Sequence, residues 1–176
     1  MSEIRTARLT LRRARIEDLA HIHAVLSNAE ATRFWWTPAY TDLEETRTWL
    51  QAMIDAPAHD SDDYLIEYQG RVIGKAGCRR LPVIGFILHP DFWGRGLARE
   101  ALEAVIARIF ANSSVEALTA DVDPRNAASL GLLRRLGFVE TGRAQGTSEV
   151  GGELCDSVYL ALARPGAVDA NGAPSA

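Results

Sequence analysis

Cysteine is scarce in this chain of 176 residues, which contains only Cys78 and Cys155. Two cysteines at this separation make neither the paired spacing of a zinc site nor a disulfide framework. Both lie in strand-like runs, so we expect buried free thiols. We therefore predict no metal site and no dependence of the fold on disulfide bonds.

An excess of positive charge is also lacking, because the chain carries a formal net charge of −4. Nonspecific binding of nucleic acid depends on many contacts between cationic side chains and phosphates, so this balance argues against a nucleic-acid partner. It does not exclude a small anionic ligand that is held by local hydrogen-bond donors.

Long apolar runs are missing as well. No stretch approaches the roughly 20 apolar residues that a membrane helix needs. Residues 1–5 contain no run of the kind found in a signal peptide. We therefore expect a cytoplasmic protein without a membrane partner.

The length of the chain fits one domain with a substantial core, which we assign to residues 1–164. Residues 165–176 are rich in Ala, Gly and Pro and have almost no apolar bulk. They are predicted to form a disordered tail. The sequence leaves open whether the protein is a monomer or a homodimer.

The spacing of apolar residues predicts the order βααβββαβαββ, which is typical of a mixed, twisted α/β sheet. Thr41 and Glu44 have the spacing of a capping box at the start of the second helix. The two closing strands are predicted over residues 138–141 and 158–162. The third helix is the most clearly amphipathic, with five apolar residues along one face: Leu102, Val105, Ile106, Ile109 and Phe110.

A glycine-rich turn connects a predicted buried strand, residues 83–89, to this amphipathic helix. Gly94 and Gly96 permit positive φ angles and close approach of a ligand. Free amides at the helix start and the positive end of the helix dipole favour an anion such as a pyrophosphate. Arg95 and Arg99 add positive charge.

A plain tight turn with packing glycines is the alternative for this segment. Two other phosphate motifs do not match. The Walker pattern requires a lysine that is absent here, and the dinucleotide fingerprint requires a third glycine where Arg99 stands.

Residues 93–98 resemble motif A of the GNAT superfamily, Q/R-x-x-G-x-G/A after a strand. Gly96 and Ala98 match this motif, while Trp93 replaces the usual Gln or Arg, as in the ribosomal-protein-alanine branch of the superfamily. Residues 122–138, with Asn126 and Ser129, resemble the second signature. The resemblance spans about residues 6–163. It implies a central, mostly antiparallel sheet with a splayed strand pair, and acetyl transfer from acetyl-CoA to a primary amine.

The resemblance also implies the positions of the cofactor-binding residues. The backbone of Phe86, Ile87 and Leu88 is expected beside the pantetheine arm, with an amide near Leu88 polarising the thioester carbonyl. Asn126 is expected to bond the pantetheine; the alternative is that it only caps the helix that follows it. The amides of one loop are expected to hold the pyrophosphate: Gly94, Arg95, Gly96, Leu97, Ala98 and Arg99.

Two departures from the family pattern affect proton transfer. Leu133 stands where many relatives have a tyrosine that protonates the leaving thiolate, so Ser129 becomes our candidate for the acid or thiol-contacting group. Val83 stands where branch members often have glutamate. The remaining candidate bases are four acids: Glu67, Asp123, Glu149 and Asp156.

The acceptor face in this superfamily comes from the early helices and the closing hairpin. Trp35, Trp36 and Tyr40 are predicted to line an apolar slot over the thioester; the alternative is that they only seal the helices onto the sheet. Such a slot favours a protein N-terminal α-amine or an amino-acid-like small molecule. A drug or polyamine acetyltransferase and a non-catalytic CoA-binding module remain alternatives. The acidic cluster at residues 60–63 would suit a polycation.

Overall fold

The computed structural model describes residues 3–166. Eight strands and four helices follow one another in the order ββααβββαβαββ. The strands are β1 Ile4–Arg5, β2 Leu9–Arg12, β3 Asp62–Tyr68, β4 Arg71–Arg80, β5 Val83–Leu88, β6 Ala117–Val122, β7 Val139–Val150 and β8 Glu153–Ala163. The helices are α1 Leu19–Leu26, α2 Leu43–Ile54, α3 Leu97–Asn112 and α4 Ala127–Arg135.

This order confirms the predicted mixed α/β fold, with one addition. Strand β1 has only two residues, too few for an alternating pattern to be recognised in the sequence. Apart from residues 165 and 166, the predicted disordered tail lies outside the described residues. Within residues 3–166, no helix is long and apolar enough to cross a membrane.

All eight strands form one sheet in the order β1-β2-β3-β4-β5-β6-β8-β7. Every neighbouring pair is antiparallel except β5 and β6, which run parallel. These two strands pair at Val83 and Thr119. Beyond that point they diverge, which opens the sheet in its middle.

The core has two layers, one on each face of the sheet. Helix α3 brings Leu102, Val105 and Ile109 into the larger cluster. The smaller cluster joins α1 and α2 to the opposite face, where Leu65 and Ile87 point. The open part of the sheet therefore lies between these two well-packed layers.

Three local predictions need correction. Helix α2 is capped by Asp42, whose side chain accepts a hydrogen bond from the Glu44 amide and which forms a capping box with Glu45; the predicted box was one residue too early. Cys78 is buried, but Cys155 is only partly buried. The closing strands β7 and β8 are much longer than predicted because most β7 residues face solvent and give no alternating signal.

Candidate active site

The opening between β5 and β6 exposes backbone amides on the inner edge of β5. The His89 amide donates to the Ile73 carbonyl at 2.9 Å, so the facing pair Gly74 and Leu88 is of the non-hydrogen-bonded type. The amide of Leu88 therefore points away from β4, toward the opening. By the same alternation, so does the amide of Phe86.

Gly74 allows β4 to approach β5 closely at this point. A Cβ atom there would lie 2.1 Å from the Ile87 carbonyl oxygen, so no side chain is compatible with the observed backbone. The position of the Leu88 amide is thus fixed from its β4 side.

Helix α3 begins at the edge of the opening in a form suited to an anion. Gly94 and Gly96 have φ angles of 69° and 73°, and Gly96 is the N-cap residue, with no side chain to satisfy the first amides. The amides of Leu97, Ala98 and Arg99 precede the first intrahelical hydrogen bond, which Glu100 makes to the Gly96 carbonyl at 3.1 Å. Their free N–H groups and the helix dipole favour negative charge here.

Arg8 holds this loop from the N-terminal side. Its guanidinium donates to the Arg95 carbonyl at 2.9 Å and to Glu100 at 2.7 Å. Burial alone would raise the pKa of Glu100, but hydrogen bonds from Thr6 and Arg8 outweigh it and keep that pKa below its usual range. The Glu100 carboxylate, which lies next to residues 94–99 (here called the anion loop), is therefore charged and already paired. No local pattern points to Arg8, which reaches the loop across 87 positions.

A groove of about 590 Å³, here called the long groove, runs from this loop to the opening in the sheet. Most of the predicted cofactor-binding residues border it: Phe86, Ile87, Leu88, Gly94, Gly96, Leu97, Ala98, Arg99, Asn126 and Ser129. Arg33 and Arg135, which the sequence did not single out, add positive charge to its walls.

Arg95 does not border the long groove. Its guanidinium donates to the Tyr68 hydroxyl at 2.8 Å and stacks on the rings of Tyr68 and Phe92. Only its backbone can therefore contribute to anion binding. Its side chain holds the loop to the end of β3.

Asn126 and Ser129 lie together at the start of α4. The Asn126 side-chain oxygen caps the helix by accepting from the Ser129 amide at 3.1 Å. Both residues border the long groove and also a small cleft of about 160 Å³, here called the connecting cleft. The Ser129 hydroxyl makes no hydrogen bond within residues 3–166, so it is available to a ligand. Leu133 borders the same cleft.

A third space of about 630 Å³, here called the aromatic pocket, lies on the α1–α2 side of the sheet. Trp35, Trp36, Tyr40 and Trp49 border it. Trp35 also borders the connecting cleft and the long groove, so the three spaces meet at this indole. Trp36 is 56% exposed, which leaves it free to contact a ligand.

The four candidate bases differ in their surroundings. Asp123 borders the connecting cleft, but the hydrogen bond from Arg125 is the largest effect on its pKa and lowers it, which makes this carboxylate a poor base. Asp156 also borders the cleft and accepts from the Gly146 amide. Glu67 and Glu149 do not border the three spaces; Glu67 is paired with Arg12 at 2.8 Å.

Comparison with known proteins adds to this geometry. The model of the acetyltransferase (GNAT) domain matches residues 8–139. The chain is 28% identical over 169 residues to an uncharacterized N-acetyltransferase, p20, of Bacillus licheniformis, covering 91% of this chain and 94% of that protein. It is 25% identical over 157 residues to spermidine N(1)-acetyltransferase of Escherichia coli, covering 83% and 81%.

Among solved structures, the fold is similar to that of ribosomal L7/L12 alpha-N-protein acetyltransferase in complex with coenzyme A. The TM-score is 0.82 at 24% identity, and the match covers 92% of this chain and 98% of the other. At this identity the likeness establishes the fold.

Proposed function

The chain belongs to the acetyltransferase (GNAT) family and is an acyl-CoA-dependent N-acetyltransferase with acetyl-CoA as cosubstrate; from this premise we propose that its acceptor is an α-amine. The amine belongs to a protein N-terminus or to an amino-acid-like small molecule. One observation carries the proposal: the long groove and the aromatic pocket meet at Trp35, so a donor and an apolar acceptor can approach each other from opposite sides.

The residues of the long groove fit acetyl-CoA. A pyrophosphate requires free amides, which the first turn of α3 supplies. It also requires positive charge, to which Arg99 contributes through its terminal nitrogens, because Glu103 accepts only from Nε of Arg99. A pantetheine arm requires unpaired strand amides, which Phe86 and Leu88 direct toward the opening. When bound, acetyl-CoA supplies an activated acetyl thioester.

In the proposed mechanism the chain acts mainly by positioning. The Leu88 amide donates to the thioester carbonyl oxygen and stabilises the negative charge that develops on it. The amine nitrogen attacks the thioester carbon, so that a C–N bond forms and the C–S bond breaks. The proton that the amine loses reaches the leaving thiolate, and Ser129, whose hydroxyl is free at the junction of groove and cleft, relays this proton or contacts the sulfur. Alignment of this kind lowers the activation barrier by roughly 7–11 kcal/mol. A general base typically contributes a ~10²–10⁴-fold gain in rate, which corresponds to a smaller reduction of the barrier.

The low basicity of an α-amine suits a site with a weak base. Deprotonating an amine of pKa ~8 at pH 7 costs about 1.4 kcal/mol, whereas a lysine side chain of pKa ~10.4 costs about 4.6 kcal/mol. Asp123 is a poor base here because Arg125 holds it charged. An acceptor that already carries an appreciable neutral fraction therefore matches these residues best.

The acidic cluster at residues 60–63 gives little support to a polycationic acceptor. Asp62 is paired with Arg13 and Arg108, and Asp63 with Lys75. Arg80 lies 3.7 Å from Asp60. Because these charges are compensated within the protein, the cluster does not form the free anionic surface that a polyamine needs.

Release of free CoA from acetyl-CoA, measured with a panel of amines, tests the proposal. Peptides and amino-acid amides with a free α-amine should turn over with higher kcat/KM than polyamines. Faster turnover of polyamines would favour the activity of the Escherichia coli relative. Binding of acetyl-CoA without CoA release from any amine would favour a non-catalytic CoA-binding module. The cytoplasmic location and the oligomeric state stay predictions.

A further inference from the structure

Four residues border both the aromatic pocket and the connecting cleft: Trp35, Trp36, Ile84 and Gly85. Two of them are indoles from the segment between α1 and α2, and two are neighbours on β5. Ile87 belongs to the core cluster on the α1–α2 face of the sheet, and alternate residues of a strand share a face. Gly85 therefore presents its bare Cα to that face, at the place where the pocket and the cleft meet.

The sheet has no side chain at this place on two neighbouring strands. Gly77 of β4 lies directly opposite Gly85, and both residues border the aromatic pocket. Residues that lie directly opposite each other on paired strands share a face. The two glycines therefore form a patch of bare backbone in the wall of the pocket.

The fold explains only one of these two glycines. Gly77 has a φ angle of 140°, and a Cβ atom there would lie 2.3 Å from the Asp62 carbonyl oxygen, so no side chain is compatible with its backbone. Gly85 has no positive φ angle. Within residues 3–166 and apart from its chain neighbours, a Cβ atom at Gly85 would come within 4 Å of one atom only, Nζ of the buried Lys75 at 3.9 Å.

A glycine without such a cause is unfavourable inside a strand. It loses more conformational entropy on folding than alanine does, so alanine is the more stable residue at such a position. Glycine inside a strand commonly marks a place where another backbone or a ligand approaches closely. Within residues 3–166, no backbone of another strand comes within 4 Å of the Cβ position of Gly85. A ligand that passes between the cleft and the pocket is the remaining reason for a bare position.

The surroundings of Gly85 favour an apolar part of that ligand. Trp35 and Trp36 border the same junction, and apolar surface that is buried against such rings contributes to binding in proportion to its area. Lys75, the only lysine in the chain, is 4% exposed and already paired with Asp63 at 2.8 Å. It therefore offers little to a charged group on the ligand.

We propose that Gly85 is a specificity-determining residue, whose bare Cα forms the floor of a passage from the connecting cleft to the aromatic pocket. The reacting amine of the acceptor stays in the cleft, and an apolar side chain on the same carbon extends over Gly85 into the pocket. The acceptor is therefore an α-amine with a large apolar side chain. The inference rests on the proposed function, because it assigns the aromatic pocket to the acceptor.

Amino-acid amides with unbranched side chains of increasing length test the passage: glycinamide, alaninamide, norvalinamide and norleucinamide. In the parent protein, kcat/KM measured by CoA release should rise about fourfold for each methylene that enters the pocket. In Gly85→Val, the ratio of kcat/KM for norleucinamide to that for glycinamide should fall about tenfold or more, because the longer side chain loses the burial of at least two methylenes. An unchanged ratio in this variant, or a parent that ignores side-chain length, would overturn the proposal.

Gly142 provides a matched control in β7. It also has no positive φ angle, and a Cβ atom there would lie 3.9 Å from Cδ2 of Tyr159. Gly142 lies outside the three spaces, so Gly142→Val should keep the parent ratio. An equal loss of the ratio in the two valine variants would refute a role that is specific to the passage.

Gly85→Ala distinguishes the passage from a packing role. Because the strand gains a side chain without a clash, its melting temperature should rise by about 1–4 °C, while the ratio falls less than in Gly85→Val. Acetyl-CoA affinity should stay at the parent level, since Gly85 does not border the long groove. A lower melting temperature would show that the fold itself requires glycine here and would contradict the proposal.

Calorimetry on CoA-saturated protein separates this proposal from the proposed function. Tighter binding of norleucinamide than of glycinamide, lost in Gly85→Val, would support the passage even if no amine releases CoA, and the missing release would contradict the proposed function. CoA release from α-amines without any dependence on side-chain length would support the proposed function and disprove the passage.

Discussion

The indole Nε1 of Trp93 donates a hydrogen bond of 2.9 Å to the carbonyl of Leu88. Trp93 stands in the motif position that usually holds Gln or Arg, and here its polar atom contacts the protein backbone. Leu88 is the last residue of β5, and its amide faces the opening in the sheet. The indole therefore ties the end of this strand to the anion loop that follows it.

Trp93→Phe should weaken acetyl-CoA binding and lower kcat, because the Leu88 carbonyl loses its donor and the strand end becomes less well fixed. One neutral hydrogen bond contributes about 1 kcal/mol, so a change of roughly fivefold is expected. Calorimetry and steady-state kinetics measure the two effects. Parent-like values in both would show that the bond has no part in positioning β5.

Gly96→Glu should reduce acetyl-CoA binding sharply, since it places a negative charge at the anion loop. Gly70 provides a matched control: its φ angle of 77° is close to the 73° of Gly96, and it lies in the turn between β3 and β4. Gly70→Glu introduces similar backbone strain away from the groove. If both variants lose affinity equally by calorimetry, strain rather than the anion site explains the loss.

Asn126 and Ser129 should respond differently to alanine substitution. Asn126→Ala removes the cap of α4 and should cost about 1 kcal/mol of unfolding free energy, together with acetyl-CoA affinity. Ser129→Ala should preserve affinity and lower kcat, because only its hydroxyl is lost. Chemical denaturation, calorimetry and kinetics distinguish them. An unchanged kcat in the serine variant would leave water as the proton donor.

Trp36→Ala should raise the KM for the amine and leave acetyl-CoA affinity nearly unchanged. Because Trp36 is 56% exposed, the variant should not suffer the roughly 3–5 kcal/mol loss of a buried aromatic residue. Tyr159→Ala, which removes a 37% exposed ring elsewhere on the sheet, is the control. A large fall in melting temperature with unaltered KM would exclude Trp36 from the acceptor site.

The sequence predicted best where local patterns determine the structure. The apolar face of α3, the glycines before it and the cap at Asn126 are all short-range features, and each is found as expected. Strand β7 was predicted too short because its exposed residues carry no periodic apolar signal. The α2 cap was placed at Thr41 instead of Asp42 because Thr41 with Glu44 and Asp42 with Glu45 have the same capping-box spacing, one residue apart.

The site residues that the sequence missed depend on contacts between distant parts of the chain. Arg8 reaches the anion loop from the turn between β1 and β2, and Arg33 and Arg135 border the groove from two different segments. Lys75 lies within an apolar strand, where its burial beside Asp63 follows only from the pairing of β3 with β4. No local spacing predicts such neighbours.

The burial of Lys75 also affects how the protein itself reacts with acetyl-CoA. Acetyl-CoA slowly modifies accessible lysine side chains, since these are nucleophilic amines when neutral. This chain offers none, because its one lysine is 4% exposed and held by a carboxylate. The enzyme can therefore work in a high concentration of its own acyl donor without accumulating acetyl-lysine on its surface.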